Sequence, residues 1–238
     1  MPIRLPGLVL GLLFGFDAAA EPYSVPVDSD YPKNVYWGDT HLHTRNSADA
    51  YSLGNLNLTP ADAFRFAQGR ELIAHNGMRV QLRRPLDFLV VSDHAEYLGG
   101  FYRFNINDPL VQGTDAADKW QGFVDAGETA KVYATFVASM QDPENNPALP
   151  ESTRRTIWED VALTADEHNK PGQFTAFTGY EWTSMINGNN LHRVVVYRDS
   201  ADKAKQLPPF SAQDSLDPRE LWKALARYEE ATGGEVLA

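Results

Sequence analysis

Short apolar runs alternate along the chain with longer stretches whose apolar residues recur every three or four positions. The runs read as strands and the stretches as amphipathic helices. Val35-Tyr36-Trp37 is a β-type run leading into GDTHLHT. Thr59-Pro60 predicts a helix start, with Thr as N-cap and Pro at the first helical position; the helix carries Ala63, Phe64 and Ala67 and stops near Gly69. His75–Leu82 is expected to be a hairpin arm. Leu86–Val91 is apolar except for Asp87 and ends in Ser92-Asp93-His94, as expected of a strand buried on both faces.

Asp115–Met140 predicts one helix with Trp120, Phe123, Val132, Phe136 and Val137 inward, followed by a Pro/Asn loop at Gln141–Pro150. Ser152 is expected to cap a helix reaching about Asn169, stopped by Pro171-Gly172. Phe174–Phe177 reads as a strand, with Gly179-Tyr180-Glu181-Trp182 just past its end. A Gly/Asn loop, Asn187–Asn190, precedes a strand at Leu191–Tyr197, and Ser200–Ser215 is a polar connection. Asp217-Pro218 opens a helix with Leu221, Trp222, Leu225 and Tyr228, ended by Gly233-Gly234. Glu235–Ala238 looks like the start of a strand. The alternation predicts an α/β fold.

The amino terminus has a different pattern. Arg4, the apolar run Leu5–Phe16 and Ala18-Ala19-Ala20 have the order of a secretory signal peptide, so residues 1–20 are expected to be an address and 21–33 a polar, Pro-rich leader arm. The run is too short to span a bilayer as a stable helix, which takes about 20 apolar residues. A periplasmic or secreted protein without stable membrane insertion follows.

Composition narrows the chemistry. Of 238 residues, 43% are hydrophobic and 22% charged, enough to build a core. The formal net charge of −11 argues against a nucleic-acid partner, which needs a basic surface to displace counterions. It leaves a small-molecule phosphate substrate open, because a metal can supply local positive charge. The absence of cysteine removes disulfides, thiolate zinc sites and thiol nucleophiles.

Candidate chemistry collects in four places. On a strand, Asp39, His41 and His43 would share one face, and two imidazoles two residues apart can hold one cation. Asp39 would be a ligand or would orient a histidine. Asp93-His94 follows an apolar strand, Glu181 lies among large aromatics, and His192 starts the next strand with Arg193 beside it. If the strands are neighbours, His41, His43, His94, Glu181 and His192 share one rim. Such a donor set suits zinc, manganese or iron, and one carboxylate can bridge two cations about 3.5–4 Å apart. Arg45 and Arg193 could each grip a phosphoryl group or serve as a surface ion pair. Asp49 could be a further ligand or a turn carboxylate. His75, in a polar Asn-Gly segment, and His168, in a helix's last turn, fall outside the set.

GDTHLHT, LDFLVVSDHAEYLG, FTGYEWTS and NNLHRVVVYRD together resemble the bacterial family known as domain of unknown function 3604. That family is similar to the PHP (polymerase and histidinol phosphatase) superfamily of metal-dependent phosphoesterases. The resemblance runs from about Asn34 to Ala238. It implies a distorted (β/α)7 barrel with two or three divalent metals at the strand C-terminal ends. It implies His41 and His43 on the first metal, Glu181 bridging the first two, His192 on the second and His94 on a third. PHP enzymes often place a further histidine after the HxH pair, where this chain has Asp49. Family members continue into a Pro-His-Asn motif and a later Asp-x-His-type motif. A partial barrel, incomplete at its C-terminus, is therefore expected here.

The function expected is metal-dependent hydrolysis of a phosphoester by a metal-activated hydroxide. Asp93 would orient a histidine or shuttle a proton, Asp39 would orient the first-strand histidines, and Arg193 or Arg45 would hold phosphoryl oxygens. The alternatives are hydrolysis of another bond (amide, lactone or sulfate ester) and an inactive fragment.

Overall fold

The computed structural model describes residues 32–142 and 146–238. The signal-peptide segment 1–20 lies outside the described residues, as does the 21–33 arm except for Pro32 and Lys33. Contacts divide the chain after Val35, and the strands and helices belong to the second unit, Tyr36–Ala238.

Five strands form one mixed sheet: β1 (Gly38–Leu42), β4 (Phe88–Val91), β5 (Thr175–Ser184), β6 (Leu191–Tyr197) and β7 (Val236–Leu237), in that spatial order. β1 runs parallel to β4 and β4 parallel to β5, whereas β5, β6 and β7 pair antiparallel. β2 (Leu72–Ile73) and β3 (Arg79–Val80) make a separate antiparallel pair, which is the expected hairpin arm. The sheet is open, and the expected barrel does not close among the described residues. A local reason is that β5 and β6 are joined only by residues 185–190. A parallel connection takes a dozen residues or more, so this short link forces a hairpin.

The parallel half behaves as an α/β unit. Thr59 caps α2 (Pro60–Ala67) reciprocally with Asp62. α2 and α6 (Glu151–His168) cover one sheet face, where Phe64, Ala67, Leu89, Val91, Ala165, Phe174 and Ala176 are buried together. Side chains alternate along the strands, so Val90 and Phe177 lie on the opposite face. The larger core gathers Trp120, Trp158, Tyr180, Trp182, Tyr197 and Leu221, with Trp158 Nε1 donating to the Ala204 carbonyl at 2.7 Å.

Four local expectations are corrected. Ser152 does not cap α6, which already begins at Glu151 after Pro150, with no side-chain cap. Val35–Trp37 is not a strand; pairing begins at Gly38, where a Cβ would meet the Phe88 carbonyl at 2.4 Å. The helix expected over Asp115–Met140 is two, α4 (Asp115–Asp125) and α5 (Thr129–Ser139). Gly127 between them has φ +67°, a left-handed conformation that a continuous right-handed helix cannot contain. The strand expected to end at Phe177 continues through Ser184. It changes partner at Thr178, from parallel β4 to antiparallel β6. Gly179 permits the changeover, since a Cβ there would come within 2.4 Å of Val90 Cγ1 and 2.8 Å of the Val195 carbonyl. Glu181 therefore projects from inside a strand.

Three short helices complete the fold: α1 (Ala48–Ser52), α3 (Gly100–Asn105) and α7 (Ala201–Ala204), the last within the expected polar connection. Asp217 caps α8 (Pro218–Thr232), which ends at Gly233 as expected.

Candidate metal centre

Glu181 is the hub. Its carboxylate is 1% exposed. One oxygen, Oε2, lies 2.8 Å from Nε2 of both His41 and His43. The other, Oε1, lies 2.5 Å from His192 Nδ1. His94 is held alongside because the chain after β4 continues beside β5. Glu181 N–H donates to the Asp93 carbonyl at 3.0 Å, and Ala95 N–H donates to the Glu181 carbonyl at 2.8 Å. His94 Nδ1 is 3.8 Å from Glu181 Oε2, and its Nε2 is 3.8 Å from Asp49 Oδ2.

A β-bulge aims the first-strand histidines. Asp39 pairs with Leu89 and Leu42 with Val91, so β1 carries one residue more than β4 between these pairs. Leu42 consequently faces the α2 side with Val91, and His41 is turned to the face of Glu181. This corrects the expectation that Asp39, His41 and His43 share a side. Asp39 Oδ1 instead accepts the backbone N–H of His41 at 2.8 Å. Register decides Arg193 as well: it pairs with Trp182, while His192 pairs with Thr183 on the Glu181 face. Arg193 thus sits on the opposite face from His192, and its guanidinium donates to the His192 carbonyl at 2.8 Å. The Arg45 guanidinium stacks 3.6 Å from the Tyr102 ring centroid and reaches the Asn57 carbonyl at 3.5 Å.

Asp49, on α1, joins the site. Both its oxygens approach His43 Nδ1, at 3.0 and 2.9 Å, and Oδ1 accepts from Ser47 Oγ at 2.6 Å. Asp93 lies underneath, 2% exposed, accepting from the backbone N–H of Thr44 and from Thr44 Oγ1 at 2.7 Å. It ties the end of β1 to the end of β4 and so fixes His43 relative to His94.

The electrostatics are those of carboxylates and imidazoles confined together. Burial opposes charge on His43, but the hydrogen bond to Asp49 and the pull of the adjacent Glu181 carboxylate outweigh it and hold the imidazole up to about 10. Burial likewise opposes ionisation of Glu181, yet His43, His94 and His41 bring it down to about 2. Asp49 is lowered despite burial by its bond to His43. Asp93 goes the other way: burial raises it to about 6, against the bonds from Thr44.

Three sets of ligand atoms each lie within 4.8 Å of one another: His41, His43 and Glu181; His43, Asp49 and His94; His94, Glu181 and His192. All five expected ligands are thereby brought together, and Asp49 is added. The donor set fits a divalent metal, being imidazole nitrogen and carboxylate oxygen only. The hydrogen bonding fits too: His43 Nε2 is buried and, despite its closeness to Glu181, has no hydrogen-bond partner. A buried polar atom left without a partner is costly, and a cation displacing the Nε2 proton would meet it. His75 is exposed, and His168 stacks on Phe64 with its Nδ1 2.9 Å from the Thr164 carbonyl, so neither joins the cluster.

A family model described as Protein of unknown function (DUF3604) matches residues 30–238. The chain belongs to the DUF3604 family. Searches of curated proteins and of solved structures each find no match. In this DUF3604 chain the matched region contains every residue of the cluster. Sequence reading passed over Ser47, Glu96 and Thr183, all buried at the site. For Thr183 a signal was present, since it stands two residues from Glu181 on a strand and must share its face. For Glu96 the signal was an acidic residue two positions after His94, next to a buried strand.

Proposed function

We propose that this chain is a metal-dependent hydrolase whose substrate is a phosphoester, with two or three divalent cations (manganese, zinc or iron) held by His41, His43, Asp49, His94, Glu181 and His192. One observation carries the reading. The buried Glu181 carboxylate offers one oxygen to the His41/His43 pair and the other to His192, the arrangement of a carboxylate shared between two cations. A bound divalent metal supplies Lewis acidity and depresses the pKa of water toward neutrality.

The chain's own groups do the rest. Glu181 and Asp49 balance the cationic charge. Asp93, through Thr44, keeps the His43 segment in place. Ser47 Oγ, which accepts the His94 backbone N–H at 3.1 Å and donates to Asp49, locks α1 against the end of β4. With Arg193 on the other face and Arg45 stacked on Tyr102, phosphoryl charge at the cluster would be met by cations and imidazoles, not by guanidinium. Beside His43 lies a mostly apolar recess of about 200 Å³, lined by Leu42, Leu58, Phe66, Leu72 and Val80 among others. We place the organic part of the substrate there. The similarity of the DUF3604 family, which the four motifs resemble, to the PHP phosphoesterases supports phosphorus as the centre attacked. Export to the periplasm or beyond is part of the same proposal and rests on the 1–20 pattern.

The test is hydrolysis of aryl phosphate mono-, di- and triesters, with aryl sulfate and anilide controls, by protein loaded with manganese or zinc. The expected result is metal-dependent turnover of a phosphate, abolished in the H41A/H43A double variant. Turnover unchanged in that variant, or confined to the sulfate or anilide, would overturn the proposal.

A further inference from the structure

The Glu96 side chain is fully buried, 0% exposed. Its Oε1 accepts the Ala212 backbone N–H at 2.7 Å and, more distantly, the Thr183 N–H at 3.4 Å. Its Oε2 has no hydrogen-bond partner and lies 3.6 Å from His94 Nδ1. A carboxylate this deep is unfavourable unless it serves a neighbour, and the only titratable neighbour it has in an ion-pair contact among the described residues is His94. On the same side, Thr183 Oγ1 is 3.0 Å from His94 Nδ1, 2.9 Å from His192 Nδ1 and 3.3 Å from Glu181 Oε1. The hydroxyl has one hydrogen. If it donates to Glu181, it can accept from both imidazoles.

We propose that Glu96 is a positioning residue that, with Thr183, holds the proton of neutral His94 on Nδ1, so that Nε2 keeps its lone pair toward Asp49 for a divalent cation. The inference rests on the metal reading above, in which His43, Asp49 and His94 form one ligand group. The physical basis is general. A metal-binding imidazole whose other nitrogen donates to a carboxylate is fixed in tautomer and orientation, and loss of that partner costs about 10- to 100-fold in metal affinity.

The geometry supplies a discriminating variant. Glu96→Gln preserves volume, and the Ala212 N–H dictates its orientation, because only the amide oxygen can accept that hydrogen. The amide nitrogen then faces His94 Nδ1 as a donor. It favours the opposite tautomer, with the proton on Nε2, the nitrogen meant for the metal. A role in packing alone predicts a mild effect for this isostere; a tautomer-setting role predicts a severe one.

The experiment compares wild type and E96Q of the full chain. Nitrogen-15 shifts and long-range couplings report the His94 tautomer in metal-free protein, at a pH high enough for neutral imidazole. Calorimetric titration with manganese and zinc reports affinity and stoichiometry, and a metal-free melt checks folding. The expected result is an Nδ1–H tautomer in wild type and Nε2–H in E96Q, with one class of metal site weakened about 10- to 100-fold and the melt preserved. Should E96Q fail to fold, Thr183→Val in the same assays removes the second acceptor, and partial loss of the Nδ1–H form is expected. An Nε2–H tautomer in wild type, or unchanged affinity in a folded E96Q, overturns the proposal. Absence of metal binding by wild type overturns the metal reading itself, and the tautomer measurement still decides what Glu96 does.

Discussion

Replacing Glu181 by Gln removes one negative charge from a site where at least three imidazoles contact it. The folded state holds the carboxyl at about 2, from an ordinary value of 4.5. A depression of that size corresponds to about 3 kcal/mol of stability at neutral pH. The same attraction holds His43 up at about 10, so the two shifts describe one energy and are not added. The depressed carboxyl contributes stability that is present above the unfolded value of 4.5 and disappears as pH falls through about 2. The raised imidazole contributes stability that is full below its unfolded value of 6.5 and disappears as pH rises through about 10. In EDTA, urea melts followed by tryptophan fluorescence should therefore place E181Q below wild type by about 3 kcal/mol between pH 5 and 6.5. The gap should narrow below pH 4.5 and again toward pH 10. With manganese or zinc present it should widen, since a ligand that binds only the folded state adds stability as its concentration exceeds Kd. A gap below about 0.5 kcal/mol, or one that does not change with pH, would refute the claim that Glu181 is held ionised by the imidazoles.

Gly179→Ala would push a methyl group against the Val195 carbonyl and Val90 at the point where β5 changes partner. A loss of about 1–3 kcal/mol is expected, read from the urea midpoint. Thr59→Ala removes one half of the α2 capping box and should cost about 1 kcal/mol without touching metal binding, because its partner Asp62 lies outside the cluster. Tyr97 is buried with its hydroxyl donating toward Asn146 Oδ1 and the Pro147 carbonyl, and burial pushes the phenol up to about 12 from 10. Its stability contribution is full below pH 10 and is lost as pH rises from 10 through 12. Tyr97→Phe should thus flatten the alkaline limb of the stability curve by about 1.4 kcal/mol per pH unit across that window.

The sequence by itself determined most of the local structure and which residues make up the histidine–carboxylate cluster. The caps at Thr59 and Asp217, the buried run at Phe88–Val91 and the hairpin arm follow from nearest-neighbour chemistry, and each appears where the residues require it. His41, His43, His94, Glu181 and His192 could be read as one donor set because histidine and carboxylate have few uses beside buried strands. Tertiary structure decided which face each side chain takes. The β1 bulge separates Asp39 from His41, and the β5–β6 register sends Arg193 away from His192, because a shift of one residue turns a strand side chain to the other face. Partner choice had the same origin. The continuation of β5 past Phe177 depends on β6, which the residues of β5 do not encode. Glu96 and Asp49 gained their places through contacts with segments distant in sequence or on another element, Ala212 for one and His94 for the other. Local propensity specifies what a residue can do; the packing of separate strands specifies what it faces.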